Sequence, residues 1–338
     1  MRNQNLPKVS FVIPTLNASF FLPQCLEAIK TQDYPEDKIE IVIADANSTD
    51  ETYNIAMSYG AKIIENPEIL HEPGKARASQ IASGELLFFI DADNVLTHKR
   101  WIQMMVRPYL ENSGVMGFLP QTIPPPDSHS LNQYLGYLFT DPFTWFIYGK
   151  AANPKDFKFI YKPIKKTEDY VLYKFTVRQH PLFGLSQGVG TNAQFKRGAM
   201  AWSDDILAGI KLIEEGGLVA YVPAATVYHY HVDNFSHFLK KYRWRISNNL
   251  TQKVKGMGIA NRGKYLNWNR RLRLMLFLPY SLSVVWPLVD SVRLSLRHRD
   301  GVMFWHLPTC FFLAMEILFN LVRYQLGMLT TTKSTYGK

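Results

Sequence analysis

Cysteine is scarce in this chain, and the two that occur are far apart. Cys25 and Cys310 are the only cysteines in 338 residues, and each lies in an apolar stretch. This argues against a disulfide framework or a cysteine metal site and fits a reducing compartment. Residues 1–8 lack the apolar core of a signal peptide, so we expect synthesis and residence on the cytoplasmic side.

Two glycine-rich nucleotide-binding motifs are missing as well. No G-x-G-x-x-G follows the first apolar segment, and no Walker-type Gly-Lys-Ser/Thr loop occurs in the chain. The first absence leaves a dinucleotide-binding fold with little support, and the second argues against a P-loop.

Acidic residues are sparse in the second part of the chain. Residues 1–130 carry 10 Lys/Arg and 16 Asp/Glu, a net charge of −6, whereas residues 131–338 carry 28 and 12, a net charge of +16. This asymmetry indicates an anionic partner, which could be nucleic acid, lipid headgroups or a phosphorylated acceptor.

The first ninety residues alternate between short apolar segments and segments with helical spacing. Such alternation predicts an α/β fold whose sheet is largely parallel, with right-handed crossovers. The predicted strands cover residues 8–13 (ended by Pro14), 39–44, 61–65 and 86–90, and the predicted helices cover residues 20–31, about 50–58 and 75–82.

Two carboxylates, Asp91 and Asp93, directly follow the apolar strand predicted at 86–90. Residues at i and i+2 of a strand point to one side, and open α/β sheets bind ligands at the carboxyl edge. Paired carboxylates there suit Mg²⁺ or Mn²⁺ that also binds a substrate's phosphates. The alternative is a solvated turn.

Several ordered segments resemble the family 2 glycosyltransferases with the GT-A fold: Val12–Asn17, Ala44–Asp50, Gly74–Arg77, Gly84–Glu85 and Asp91–Asp93. The resemblance covers roughly residues 8–230. It implies a mixed α/β sheet flanked by helices. The implied reaction is transfer of a sugar, with inversion, from a UDP- or GDP-type nucleotide-diphosphate donor, assisted by a divalent metal.

The resemblance also implies site residues. Asp45 would read the base, Lys75 or Arg77 would lie near the diphosphate, and Asp93 would hold Mg²⁺ or Mn²⁺. The full set is Pro14, Thr15, Asn17, Asp45, Lys75, Arg77, Asp91 and Ala92 for the nucleotide sugar, and Asp93, Asp91 and His229 for the metal. Ala44 and Ala78–Gln80 depart from the family pattern. Asn17 could instead be a turn former, Asp45 a strand-end residue and His229 a structural histidine.

A second acidic pair, Asp204-Asp205, follows the glycine-containing segment 187–192. In the resembling family such a pair opens a helix and supplies the general base for the acceptor hydroxyl. We assign that role to Asp205, with Asp204 second; an ordinary helix start is the alternative.

Residues 218–222 and 225–230 are predicted strands. Arg243 and Trp244 would flank the acceptor, and Lys240 replaces the glutamine typical of processive members.

The segment between the two parts of the site is aromatic and then basic. Residues 132–149 are nearly uncharged and predict a buried helix broken at Pro142, although an acceptor-binding or membrane-facing patch would also suit them. Residues 155–166 are rich in lysine with interleaved aromatic side chains. They match no nucleic-acid recognition module, so we expect a loop near phosphates or lipid headgroups and no nucleic-acid partner.

The C-terminal part contains two apolar segments, Leu274–Val289 and Val302–Val322. The first is short for a spanning helix and the second contains Glu316. A spanning hairpin would also place the arginines between them outside, against the positive-inside tendency. We therefore predict a catalytic domain over residues 1–261 and a membrane-associating helical region over 262–338. The protein would be peripheral or monotopic on the cytoplasmic face, or else integral; a soluble helical subdomain or a dimer interface is the alternative.

The predicted function is an inverting glycosyltransferase that acts on a saccharide, lipid-linked or polyprenyl-phosphate acceptor. Two alternatives remain: a nucleotidyltransferase acting on a sugar phosphate, and an inactive membrane adaptor with the same fold. This chain lacks the glycine-rich loop that nucleotidyltransferases have after the first strand. An adaptor would not need Asp45, Asp93 and Asp205 together.

Overall fold

The computed structural model describes residues 6–195, 204–251 and 262–328. The chain forms two compact units. The first comprises residues 1–122 and 158–229, and the second comprises residues 123–157 and 230–338. The boundary that the sequence predicts, between residues 261 and 262, falls inside the second unit.

The sheet of the first unit begins with four parallel strands. They lie in the order β3-β2-β1-β4, and β1 is buried along its whole length. Contrary to the prediction, β1 continues through Pro14, which lies opposite Ala44. Pairing of β1 with β4 ends at Val12, so the proline lies where β1 has a neighbour on one side only. The four strands are β1 (Val9–Thr15), β2 (Ile39–Asp45), β3 (Lys62–Glu65) and β4 (Leu86–Phe89).

The other strands join this core mostly antiparallel. The sheet order is β3-β2-β1-β4-β9-β6-β10-β8-β7, with β5 paired to β10. The prediction of a largely parallel sheet therefore holds only for the first four strands, and the sheet as a whole is mixed. The added strands are β5 (Asn94–Leu96), β6 (Val115–Ile123), β7 (Lys165–Lys166), β8 (Val171–Tyr173), β9 (Val189–Asn192) and β10 (Leu218–His229).

Strand β10 is continuous, where the sequence predicts two strands interrupted near Pro223. Its first half pairs with β8 at Val219–Tyr221, and its second half pairs with β5 at Val227–His229. Pro223 is exposed and lies between these two pairings. The proline therefore removes no ladder hydrogen bond that either partner needs.

Helices cover the sheet of the first unit. They are α1 (Leu22–Lys30), α2 (Thr52–Ser58), α3 (His71–Ile81), α4 (Trp101–Glu111) and, after the helices of the second unit, α7 (Asp205–Glu214). Helix α3 begins four residues earlier than predicted because Pro73 is tolerated in a first helical turn. A Cβ on Gly74 would lie 2.8 Å from Asn66 Nδ2 and 3.3 Å from Ala44 Cβ. Glycine thus lets α3 approach β2 closely.

A buried carboxylate, Glu40 on β2, ties three segments of the first unit together. It pairs with Lys62 Nζ at 2.6 Å and accepts from Ser83 N at 2.7 Å and from the hydroxyl of Ser10. Burial raises the pKa of Glu40, but the hydrogen bonds from Lys62, Ser10 and Ser83 lower it more, to about 2.

We expect this network to make the stability of the protein depend on pH. The folded pKa lies below the ordinary value of 4.5, so its stabilisation is present above about pH 4.5 and is lost as pH falls toward about 2. Glu40→Gln should lower the free energy of unfolding by about 3 kcal/mol at pH 7 and by much less at pH 3. Urea unfolding at pH 7, 5, 4 and 3 measures this difference. Exposed Glu36 is the control as Glu36→Gln, and an unchanged difference at pH 3 would contradict the prediction.

The second unit is helical in its described part. Its helices are α5 (Ser130–Leu138), α6 (Pro142–Tyr148), α8 (Phe235–Thr251), α9 (Trp268–Leu282), α10 (Val285–His298) and α11 (His306–Gln325). As predicted, the aromatic segment is broken at Pro142, the first residue of α6, which Asp141 caps by accepting from Thr144 N at 2.9 Å. Buried His306 bonds the hydroxyls of Tyr134 at 2.8 Å and Tyr280 at 2.9 Å, which links α5, α9 and α11.

The two C-terminal apolar segments differ in shape. The first is divided between α9 and α10, which meet at an angle of 98°, and Val284 at the bend has φ +61°. Among the described residues, the second segment provides one helix, Gly301–Gln325, that is long and apolar enough to cross a membrane; a second crossing would require the bent pair to act as one span.

Candidate active site

The loops after β1 and β2 are joined by polar side chains. Asp45 is buried, and it accepts from Thr15 Oγ1 at 2.8 Å, Ser48 Oγ at 2.6 Å and Ser48 N at 2.9 Å. Asn17, in the left-handed region at φ +49°, accepts from Thr49 N at 2.8 Å. Asp45 Oδ2 accepts one of these bonds and has room for another donor. The loops are therefore fixed around a carboxylate at the end of β2.

The first aspartate of the Asp-Ala-Asp motif lies against Lys75 of α3. The Lys75 ammonium is 2.9 Å from Asp91 Oδ1 and 3.4 Å from Glu72 Oε1, and its side chain is 1% exposed. Burial lowers the pKa of Lys75, but Asp91, Glu72 and Asp205 raise it more. Burial likewise raises the pKa of Asp91, whereas Lys75 and His71 lower it below its usual range. Both groups are therefore held in their charged forms.

The second aspartate, Asp93, lies beside His229. Antiparallel pairing of β5 with β10 places Asn94 opposite His229. Asp93 Oδ2 is 3.6 Å from His229 Nε2, and Asp93 Oδ1 accepts from Asn94 Nδ2 at 3.0 Å. Asp93 is 27% exposed, which leaves it accessible to a ligand. Ala92, between the two aspartates, is partly buried.

The pair formed by Asp93 and His229 has suitable donors for a divalent cation. Two ligands of one Mg²⁺ or Mn²⁺, each about 2.1 Å from the ion, can be up to about 4.2 Å apart, and the two atoms are 3.6 Å apart. Within the described residues, no cluster of three or more His, Cys, Asp or Glu side chains is placed to hold a metal. An ion here would therefore take its other ligands from phosphate oxygens or water.

The acidic pair at the start of α7 divides into two roles. Asp204 is buried and caps the helix, accepting from Ile206 N at 2.9 Å and Leu207 N at 3.1 Å. Asp205 is partly buried and contributes to the field at Lys75. A Cβ on Gly184 would lie 2.6 Å from Asp205 Oδ2, so glycine makes room for this carboxylate. The segment 196–203 just before the pair lies outside the described residues.

Three residues near this cluster were not singled out from the sequence: His71, Glu72 and Gly184. Burial lowers the pKa of His71, and the Asp91 carboxylate partly opposes that shift, so His71 faces the same charges as Lys75. Starting α3 at residue 71 would have placed His71 and Lys75, at i and i+4, on one helix face. No comparable sequence signal marks Gly184.

The remaining predicted residues have other partners. Arg77 forms a two-pronged ion pair with Glu68, at 2.8 and 2.7 Å. Between the two basic candidates, Lys75 is the one placed at the aspartate motif. Arg243 and Trp244 lie on α8 in the second unit, where Arg243 pairs with Glu316 at 2.6 Å.

Known proteins share parts of this chain. It is 35% identical over 105 residues to a glycosyltransferase, AglE, of Haloferax volcanii, covering 29% of this chain and 34% of that protein. It is 33% identical over 95 residues to a poly(ribitol-phosphate) β-N-acetylglucosaminyltransferase, TarS, of Staphylococcus aureus, covering 26% and 17%. The matched region thus spans about a third or less of these relatives.

Solved structures share the fold over nearly the whole chain. A mannosyltransferase from Pyrobaculum calidifontis in complex with GDP-Man and Mn²⁺ has a TM-score of 0.53 at 15% identity, covering 93% of this chain and 87% of that one. S. aureus TarS in complex with UDP has a TM-score of 0.50 at 15% identity, covering 95% and 92%. The predicted GT-A fold, a mixed sheet flanked by helices, is confirmed.

A family model described as glycosyl transferase family 2 matches residues 10–200, which is more than half of the chain. This match includes both loops around Asp45, the Lys75–Asp91 pair and the Asp-Ala-Asp motif. The protein therefore belongs to glycosyltransferase family 2.

Proposed function

We propose that this enzyme transfers a sugar, with inversion, from a nucleoside-diphosphate sugar to a saccharide or lipid-linked acceptor. The observation that supports this most directly is the convergence on Lys75. Asp91 from the end of β4 and Asp205 from the start of α7 both act on its buried ammonium. Carboxylates from two distant segments of the chain thus influence the charge of Lys75.

Each residue has a role in this reaction. Asp45 accepts an N–H of the donor's base, and Thr15 and Ser48 hold its carboxylate in place. Pro14 and Asn17 shape the loop beside the nucleotide. Lys75 keeps Asp91 ionised and oriented toward the donor.

Asp93 and His229 would hold a divalent ion, Mg²⁺ or Mn²⁺; when bound, it offsets charge on the leaving nucleoside diphosphate. One structural neighbour supports this choice, since it is described with GDP-Man and Mn²⁺. A second neighbour, described with UDP, supports a nucleoside-diphosphate donor.

Asp205 acts as general base in the proposed step. The acceptor oxygen forms a bond to the anomeric carbon while the bond from that carbon to the diphosphate oxygen breaks. The acceptor proton passes to the Asp205 carboxylate, and the electron pair leaves with the diphosphate.

Incubating the purified protein with UDP- and GDP-sugars, Mn²⁺ and an acceptor panel tests this function. We expect release of free nucleoside diphosphate that depends on the acceptor. Release of inorganic diphosphate from a nucleoside triphosphate and a sugar phosphate would indicate a nucleotidyltransferase. No turnover of any donor would indicate an adaptor.

The role of Asp205 depends on the acceptor. With a hydroxyl acceptor, Asp205→Asn should lower kcat by about 10²–10⁴ without raising the donor KM. With a polyprenyl-phosphate acceptor, whose oxygen is already nucleophilic, most of the rate should remain. Asp204→Asn is the matched control. It should cost little stability, because an asparagine side-chain oxygen caps a helix about as well as that of aspartate, and it should retain transfer. Equal loss of kcat in both variants, with a hydroxyl acceptor, would remove Asp205 from this role.

We also propose that the C-terminal helices associate with a membrane surface. Trp268, Trp286 and Leu296 are among many exposed apolar side chains on α9 and α10, and Arg293 is exposed beside them. The 98° bend divides the first apolar segment into two helices too short to span separately, which favours an interfacial position on the cytoplasmic face. Flotation with liposomes tests this. Dimerisation without vesicle binding would indicate that the C-terminal helices form a dimer interface instead.

A further inference from the structure

A second surface of unusual composition lies in the first unit, at residues 158–166 (KFIYKPIKK), which we call the lysine loop. It contains four lysines and no acidic residue, and all four lysines are exposed. Phe159, Ile160 and Ile164 are 58%, 46% and 56% exposed. Of the seven large apolar side chains exposed in the described part of the first unit, three lie in this loop, so exposed apolar residues are concentrated in this one segment.

The loop is held in place at the edge of the sheet. Ile164 N donates to Leu172 O at 2.8 Å, and β7 pairs with β8. The Tyr161 ring contacts the ring of Phe175, with centroids 4.8 Å apart. Lys165 Nζ donates to Asn112 Oδ1 at 2.8 Å. The exposed apolar side chains are therefore presented by an anchored loop.

Protection of a sheet edge explains only part of this composition. Strand β7 is the last in the sheet order, and lysines on an edge strand discourage pairing with other chains. That accounts for Lys165 and Lys166 but not for Phe159 and Ile160, which precede the strand and would promote association.

The chemistry favours a lipid surface over another polyanion. Nucleic acid could use the lysines and stack on Phe159, but it gains nothing from the two isoleucines. A bilayer with anionic headgroups binds lysines and also accepts Phe and Ile side chains below the headgroups. The Lys158 ammonium lies 5.1 Å from the centre of the Phe159 ring, which places charge and apolar surface side by side.

We propose that the lysine loop is a membrane-contact site that binds anionic lipid headgroups through its lysines and inserts Phe159, Ile160 and Ile164. This extends the proposed membrane association of the enzyme to its first unit. The contact uses residues other than the C-terminal helices, so the two can be tested separately.

Flotation of the full chain with vesicles of phosphatidylcholine, alone or mixed with phosphatidylglycerol, tests the loop. Glutamine at Lys158, Lys162, Lys165 and Lys166 should weaken binding to the mixed vesicles at least about tenfold, since each lysine near an anionic surface contributes a factor of about five. Serine at Phe159, Ile160 and Ile164 should weaken binding to a similar degree. The control is Tyr53→Ser with Met57→Ser, two exposed apolar residues of α2, which should bind like the parent.

A labelled variant gives a positive signal for insertion. Both natural cysteines are buried, so Ile160→Cys can carry an environment-sensitive fluorophore, with Met57→Cys as control. We expect a blue shift on mixed vesicles for the first label only. Thermal unfolding and donor turnover without vesicles should match the parent in every variant.

Three results would overturn the proposal. They are parental vesicle binding in both loop variants, no vesicle binding by the parent, and a lysine variant that loses only single-stranded DNA binding. In the first of these cases, binding that is lost only on Trp268→Ser with Trp286→Ser would preserve the C-terminal membrane contact while the loop is rejected. Sugar transfer in solution is scored separately, so failure of the loop is distinguishable from failure of the glycosyltransferase assignment.

Discussion

Asp93→Ala is expected to lower sugar transfer by about 10³-fold and to weaken Mn²⁺ binding while the protein remains folded. The loss corresponds to the several kcal/mol that a metal ion contributes to stabilising charge on a leaving diphosphate. The fold should be retained because the Asp93 side chain is partly exposed. Transfer assays, Mn²⁺ titration by electron paramagnetic resonance and thermal unfolding measure the three effects.

A double-mutant cycle with His229 sharpens this test. If both side chains hold one ion, the losses in Mn²⁺ affinity from Asp93→Ala and His229→Ala should not add. Exposed Asp37 supplies the control as Asp37→Asn, which should leave transfer and Mn²⁺ affinity at parental values. Full activity of Asp93→Ala, or activity that persists in EDTA, would remove the metal from the proposed mechanism.

Lys75→Met is expected to destabilise the protein by about 3–5 kcal/mol, because removing one partner leaves the other charge of a buried pair uncompensated. The ammonium is 1% exposed and lies 2.9 Å from Asp91. Adding Asp91→Asn should restore much of the lost stability, since the carboxylate nearest to the lost ammonium is then uncharged. Urea unfolding of the two single variants and the double variant measures this.

Donor kinetics, combined with the unfolding data, decide whether Lys75 also binds the diphosphate directly. If Lys75 only positions Asp91, stability should be regained in the double variant. A purely diphosphate-binding role predicts a raised donor KM with near-parental stability in Lys75→Met. Arg77→Met is the matched control, because its partner Glu68 is partly exposed and its loss should cost less than about 1 kcal/mol.

The local part of the fold could be predicted from the sequence, because it follows from short-range patterns. The alternation over the first ninety residues indicates the parallel strands, and the apolar segment before Asp91 places the motif at a strand end. Three prolines led to wrong predictions of element boundaries, because the surrounding structure tolerates proline at these positions. Pro14 and Pro223 each lie in a strand at a point where one hydrogen-bonding side is unpaired, and Pro73 lies in a first helical turn.

The non-local part could not be predicted by the same reasoning. The pairing of β5 with β10, which brings His229 to Asp93, depends on register between segments far apart in the chain. His229 was predicted to be a metal ligand from a family resemblance. The alternation of apolar and polar residues along a strand does not indicate which residue lies opposite His229. Gly184 was missed for the same reason, because its role exists only through its contact with Asp205 from another element. His71 was missed because the predicted start of α3 lies four residues too late.

The distance along the chain between β5 and β10 has a consequence for synthesis. Thr97 Oγ1 donates to Thr226 O, 129 residues further along the chain. Strand β10 therefore joins strands that were synthesised well before it. A nascent chain that ends before residue 229 carries the aspartates without the histidine, and its affinity for Mn²⁺ should therefore be low. Acquisition of that affinity during translation would report the moment at which the final strand docks.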